Sequence, residues 1–301
     1  MLSVRPLPFT GIISADGSMA ERSGGYGISK AGGSAIIRAW SNERQQLALR
    51  GAWNTRFIDT DLRFPESNAS IPNRLHSLSA GPIFQHRSDS GWSLSFFSSI
   101  EAASDRLRAD SDQLTYRLGT TALLPAGERD QWFAMLFWDS NSRVMGGAPL
   151  PALGYHWRPE NDWEVIIGIP IAGLRWQPHQ QWRFEATVLG PSLQGNLRWS
   201  PNQMTRVTAS ISRDPWRSSR YWRHQRPDKD EAIRFQEWIA KLEWNQRFHR
   251  APAFTVFAGY AFERFVSESE PSSSFFGRPR NNSLRLDSGV VVGLQLTTVI
   301  P

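Results

Sequence analysis

Six histidines, at positions 76, 86, 156, 179, 224 and 249, are the natural general bases of this 301-residue chain. No two stand at ligand-like spacing. His76-Ser77 is the one adjacent base and hydroxyl, the residue types with which a barrel enzyme would cut or deacylate a lipid. Neighbours on a strand point to opposite faces, so these two cannot pair directly. No G-x-S-x-G elbow, H-E-x-x-H or phosphate-binding glycine loop occurs. Cysteine is absent, which removes a thiol nucleophile, a disulfide framework and Cys-ligated metal. Glu101, Asp105, Asp110 and Asp112 offer oxygens that suit Ca²⁺. They lack the spacing of a calcium loop and read as a solvated polar segment. The expectation is no catalytic residue, no cofactor and no metal.

The other chemistry-bearing stretch is "RDPWRSSRYWRHQRPDKDE", Arg213 to Glu231. Arginines there interleave with Trp216, Tyr221 and Trp222. Arginine forks suit phosphate, and Trp suits an interface that is half wet and half apolar. Nucleic acid is not the expected partner. The net charge is +6, but it comes from 31 Arg and only 3 Lys, and outside this run the Arg residues are spread singly, without a Lys/Arg block. Arg217, Arg220 and Arg223 are the candidates for contact with lipopolysaccharide phosphates or a partner's acidic surface. Pairing with Asp214, Asp228 and Asp230 of the same loop is the plainer reading.

Strands must position these residues. Hydrophobic content is 40% and mean hydropathy is negative, yet there are 14 Trp and 17 Phe. No run approaches the ~18 apolar residues of a spanning helix. Period-2 alternation dominates. In "SLRLDSGVVVGLQLTT", Leu284, Leu286, Val290, Val292, Leu294 and Leu296 share one face, and Arg285, Asp287, Gly293 and Gln295 the other. Trp238, Ala240, Leu242 and Trp244 likewise oppose Glu237, Lys241 and Glu243. Leu47, Leu49 and Trp53 oppose Arg50 and Arg56. Charges recur mid-strand on the polar face, which a water-filled lumen tolerates and a packed interior does not. Arg50, Arg56, Arg117, Glu237, Lys241, Glu243, Arg285 and Asp287 are therefore expected to face a lumen. Its Arg residues would favour anions, but Glu237, Glu243, Glu263 and Asp287 on the same side weaken that bias.

Connections alternate in length. Short ones fall at 42–44, 88–90, 125–130, 158–162, 177–181, 201–203 and 248–251; longer ones at 57–75, 104–112, 141–148, 214–232 and 267–282. Outer-membrane barrels have this asymmetry. Trp157-Arg158-Pro159 and Trp163, then Trp176-Gln177-Pro178 and Trp182, then Trp199-Ser200-Pro201, bracket three of the short turns. Tight hairpins at Pro170 and at Gly190-Pro191 would set Trp157, Trp163, Trp176, Trp182 and Trp199 at one rim, as an aromatic girdle. With a first strand near Ser3–Ser14 and the rest of 1–33 as loop, this count gives about 16 strands. A bulge at Pro170 in place of a hairpin lowers it to 14 or fewer. The expected fold is all-β: one antiparallel up-and-down transmembrane β-barrel of about 12–16 strands over residues 1–301, with long loops at 214–232 and 267–282. The start, "MLSVRPLPFTGIISADGS", shows no signal-peptide pattern.

The stretches "LGYHWRPENDWEVIIGIPIAGLRWQP", "GPSLQGNLRWSP" and "FAGYAFERF" resemble an uncharacterised family of bacterial outer-membrane β-barrel proteins. The resemblance implies a barrel in the outer membrane and no chemistry. The functional expectation is a passive, non-enzymatic channel, or a structural or assembly component of the bacterial envelope with membrane lipid as partner. An outer-membrane lipid-modifying enzyme and a soluble all-β binding protein are the alternatives.

Overall fold

The computed structural model describes residues 11–23, 26–65, 67–106, 114–140, 148–189, 192–213, 221–222, 232–248, 252–269 and 283–300. The strands are β1 Gly11–Ser23, β2 Tyr26–Ser41, β3 Gln45–Thr60, β4 Arg74–Arg87, β5 Ser93–Ser104 and β6 Leu114–Pro125. There follow β7 Gln131–Asp139, β8 Leu150–Trp157, β9 Trp163–Ile169, β10 Ile171–His179, β11 Trp182–Leu189 and β12 Ser192–Trp199. The last are β13 Thr205–Arg213, β14 Tyr221–Trp222, β15 Ala232–Gln246, β16 Ala253–Ser269, β17 Ser283–Leu286 and β18 Gly289–Ile300.

Each stave pairs antiparallel with the next, and β18 pairs with β1 over Gly11–Ala20, so the sheet closes on itself. β17 and β18 both pair with β16 and are two pieces of one stave. β14 is a two-residue strand that pairs with β15 and touches β5 at Ser104. Setting β14 aside, the 18 segments make sixteen staves. Closure removes both free edges of the sheet.

One rim of the barrel carries the connections 42–44, 88–92, 126–130, 158–162, 180–181 and 200–204, and the described residues 247–248 and 252. It is called here the turn rim. The other, the loop rim, carries among the described residues 61–65, 67–73, 105–106, 140, 148–149 and Pro170. Asn42 and Asn202 shape two turn-rim connections. Each side-chain carbonyl accepts from the backbone N–H groups two and three residues on, as Asx turns do.

Alternation sorts the side chains. Leu49, Leu78, Leu153, Ile167, Leu242, Val292 and Leu294 all lie outward and are 47–61% exposed. Their strand neighbours, among them Arg50, Ser79, Glu243 and Gln295, point the other way. Soluble monomers rarely expose apolar area on this scale. The outer wall is thus largely apolar among the described side chains.

The sequence expectations fail at two places. The first described stave is Gly11–Ser23; of the expected strand Ser3–Ser14, residues 3–10 lie outside the described residues, and the stretch to residue 33 assigned to a loop is instead the rest of β1 and the first half of β2. The outward positions of β2 are Gly27, Ser29, Ala31, Gly33, Ala35 and Ile37, so its apolar alternation is nearly silent. Second, the face assignment reverses within the last stave. Val290 to Leu296 point outward as expected, but Leu286 is buried inside and Leu284 packs beside it. Arg285 is exposed on the opposite, outward face. An extra residue at Glu263 of β16, in the left-handed region (φ 47°), and the break at Asp287-Ser288 shift the parity together. A one-residue slip moves every following side chain to the other face.

The walls differ in height. β2 and β3 have 16 residues and β16 has 17, whereas β8 to β13 have 7 to 9. At about 3.3 Å per residue, the tall strands run about twice as far as the low ones.

Candidate functional site

Inside the tall wall the barrel is filled. Tyr26 and Ile28 of β2, Ile58 of β3, Leu75 of β4, Ala103 of β5, Ile233 and Phe235 of β15, Val266 of β16 and Leu286 of β17 form one buried apolar cluster near the loop rim. The connection 61–73 folds into it through Phe64 (1% exposed) and Ile71. The backbone N–H of Phe64 donates to the carbonyl of Ala69, and Ser67 Oγ donates to Glu268 of β16. This connection was expected to be an external loop. It is instead an inward plug over one side of the bore.

Beneath the plug lies a paired polar layer. Glu237 on β15 accepts from Lys30 Nζ of β2 at 3.1 Å, across four staves, and from Arg264 Nε of β16 at 3.3 Å. Arg264 is only 2% exposed; its Nη1 donates to the carbonyl of Asp287, and its guanidinium lies 5.2 Å from the Tyr26 ring centre. Arg56 stacks on Phe235 at 4.6 Å. Lys241 pairs with Glu243 at 2.9 Å along β15. On the neighbouring part of the wall, Arg117 sits between Glu101 and Asp139, at 2.5 and 2.9 Å. Each of these cations has a carboxylate or ring within reach, so the layer is close to neutral.

The low wall differs. Its inward positions carry Glu164 on β9, Arg175 on β10, Arg183 and Glu185 on β11, Arg198 on β12 and Arg206 on β13. Arg175 donates to Glu164 at 3.0 Å. Glu185 is shared: Arg175, Arg183 and Arg198 approach it to 3.9, 3.7 and 4.0 Å. Arg183 donates to the neutral Gln177 Oε1 at 2.9 and 3.2 Å. Glu164 is also flanked by His156 and Arg158. The side chains of Arg175, Arg183 and Arg198 keep about 30% of their surface accessible to water. Gln194 and Thr187, further along the same inward face, are exposed. An apolar patch borders this wall, where Phe97 and Phe137 pack at 6.2 Å. Gly119 and Gly154 lie beneath the rings of Phe97 and Phe133, which occupy the space a Cβ would need.

Of the residues singled out in the sequence, Arg50, Arg56, Arg117, Glu237, Lys241 and Glu243 occupy inward positions, whereas Arg285 points outward and Asp287 sits exposed in the break. Glu263 is the exposed bulge residue. Trp163 stacks on Trp176 at 5.4 Å and Trp182 on Trp199 at 6.0 Å, as direct cross-strand pairs; Trp157 ends β8 beside them. All five adjoin turn-rim connections, and Trp40, Trp132 and Trp244 are also exposed toward that rim. His76 points outward and bonds Thr55 at 3.0 Å, away from Ser77. Glu101 turns inward to Arg117 rather than toward Asp105. Arg217, Arg220 and Arg223 lie outside the described residues. Sequence reasoning missed Arg175, Arg183, Arg198 and Arg206. Their signal was present: three of the four are one residue from a rim Trp, on the alternate face.

No protein-family model matches the chain, and no curated protein does. The family resemblance therefore yields no family assignment. Solved structures match over nearly the whole length at low identity. An outer membrane channel from Pseudomonas putida F1 is 10% identical, covers 95% of this chain and 93% of its own, and has a TM-score of 0.39. The P. putida toluene transporter TodX is 10% identical over 96% and 89%, with a TM-score of 0.36. The translocator domain of the autotransporter NalP from Neisseria meningitidis is 11% identical over 95% and 86%, with a TM-score of 0.30.

Proposed function

We propose that the chain is a bacterial outer-membrane β-barrel that acts as a passive, non-enzymatic channel. One observation carries this reading: a closed antiparallel barrel presents a largely apolar outer wall while its low-wall interior is polar and accessible to water. A soluble barrel inverts that order. Lipid is the solvent that removes the cost of the outer surface, and water in the bore removes the cost of the inner charges. Trp157, Trp163, Trp176, Trp182 and Trp199 would then stand at the interface on the turn-rim side, where an indole is half solvated. The plug over the tall wall narrows the bore without occupying the low-wall side.

Extraction and conductance test the reading. The protein should require detergent for solution at high salt and should give discrete current steps in a planar bilayer. A chain that stays soluble and monomeric without detergent would overturn it.

A further inference from the structure

The two charged layers of the interior are built differently, and the low one is left with excess positive charge. Arg183 and Arg198 are direct cross-strand partners. Arg198 also faces Thr208, whose inward neighbour on the same strand is Arg206. Like charges directly opposite each other destabilise a sheet. Here three guanidiniums crowd one patch of wall, and among the described residues the only carboxylate within 4.0 Å of Arg183 or Arg198 is Glu185, itself shared with Arg175. Among the described residues Arg206 has no carboxylate within that distance. The Nε groups of Arg198 and Arg206 are shielded from solvent and have no hydrogen-bond partner in the protein. Unsatisfied guanidinium donors in such a place are costly, and an oxyanion is the species that fits several convergent forks.

Resting on the channel reading, we infer that Arg183, Arg198 and Arg206 form an oxyanion-binding station on the low wall near the turn rim, and that the channel prefers anionic solutes, phosphate- or carboxylate-bearing. Glu185 keeps the patch from binding too tightly for release, since conduction needs a site that a solute can leave. The paired layer around Glu237 contributes no comparable bias, because Lys30 and Arg264 are held by that carboxylate.

The test uses the whole chain, refolded and inserted in planar bilayers. In a KCl gradient the reversal potential should show preference for chloride, and added inorganic phosphate should reduce the chloride current in a saturable way. The combined R183Q, R198Q and R206Q variant should lose phosphate block and lower the anion-to-cation permeability ratio several-fold. The single R206Q variant, which leaves Glu185 and its partners intact, should move both in the same direction by less. R285Q, which removes an outward-facing arginine outside the bore, should change neither. Preserved heat-modifiable migration on gels confirms that each variant folds. Conducting channels with no anion preference, or a triple variant with unchanged selectivity and block, would overturn the station while leaving the channel standing. Inserted barrels that carry no current would overturn both.

Discussion

The tall and low walls of the barrel treat charge in opposite ways. Around Glu237 the cations are matched or stacked beneath a plug. Along β10 to β13 they outnumber the carboxylates and stay wet. The same residue type, Arg, serves as structural filling in one and as the proposed recognition group in the other. Burial separates the cases: Arg264 is 2% exposed, while the side chains of Arg183 and Arg198 are 28% exposed. Charge placed on a strand's polar face is therefore not enough to nominate a site; what matters is whether its own wall neutralises it.

The sharpest way to break this contrast is to truncate one Arg from each wall. Arg264→Ala leaves Glu237 with one fewer partner in a nearly sealed layer, and removing half of a buried pair costs about 3–5 kcal/mol. Arg183→Ala removes an accessible, loosely paired group and should cost about 1 kcal/mol or less. Urea unfolding of the detergent-folded barrel reads both, and equal losses would erase the distinction. A second pair of changes tests the parity reversal in the last stave. Val292→Arg places a charge on the outer apolar wall and should cost about 2–4 kcal/mol if it lies near the bilayer midplane. Arg285, outward past the break, should tolerate replacement by Gln with little loss, whereas Leu286→Ala should cost about 2–5 kcal/mol through the cavity it leaves. Similar effects at 285 and 286 would show the stave to be unbroken.

The smallest expected effect lies in a turn. At the turn rim, Asp130 accepts from the backbone N–H of Arg158 at 2.8 Å and from the Tyr155 hydroxyl at 2.7 Å. These bonds hold its carboxyl below the usual range. The turn's added stability is thus fully present above the ordinary carboxylate pKa and is lost as pH falls through the lowered one. Hydrogen exchange at the Arg158 amide should accelerate at that acid limb beyond its intrinsic trend. Asp130→Asn should remove the pH-dependent step.

Much of this architecture can be read from spacing. Alternation in 238–244 and 290–296 marks staves with an apolar side, and the alternation of short and long connections fixes which turns share a rim. Three features escape for physical reasons. β2 puts Gly, Ser and Ala outward, so its period is present but carries almost no hydrophobic contrast. The reversal at Asp287-Ser288 is invisible because Leu284, Leu286 and Val290 are all an even number of residues apart, and only the bulge on the partner strand changes their sides. The plug depends on contacts between residues about 200 positions apart, such as Ser67 and Glu268, which no local pattern encodes. Leu62, Phe64 and Ile71, apolar residues in a largely polar connection, were its one local trace. The arginine station is legible only after register is known, because Arg183 and Arg198 meet through pairing across a hairpin.

In the proposed membrane setting, the short strands have a mechanical consequence for the surrounding bilayer. Seven to nine residues tilted by about 40° span roughly 20 Å along the membrane normal. That is less than the apolar band of about 25 Å typical of such barrels. On the opposite side β3 and β16 exceed it. Lipids must therefore compress on one flank only, at a cost of fractions of a kcal/mol for each ångström of mismatch. Such one-sided thinning would make the barrel lean, enrich shorter acyl chains beside β8 to β13, and draw two barrels together flank to flank, since a shared thinned zone deforms less lipid than two separate ones.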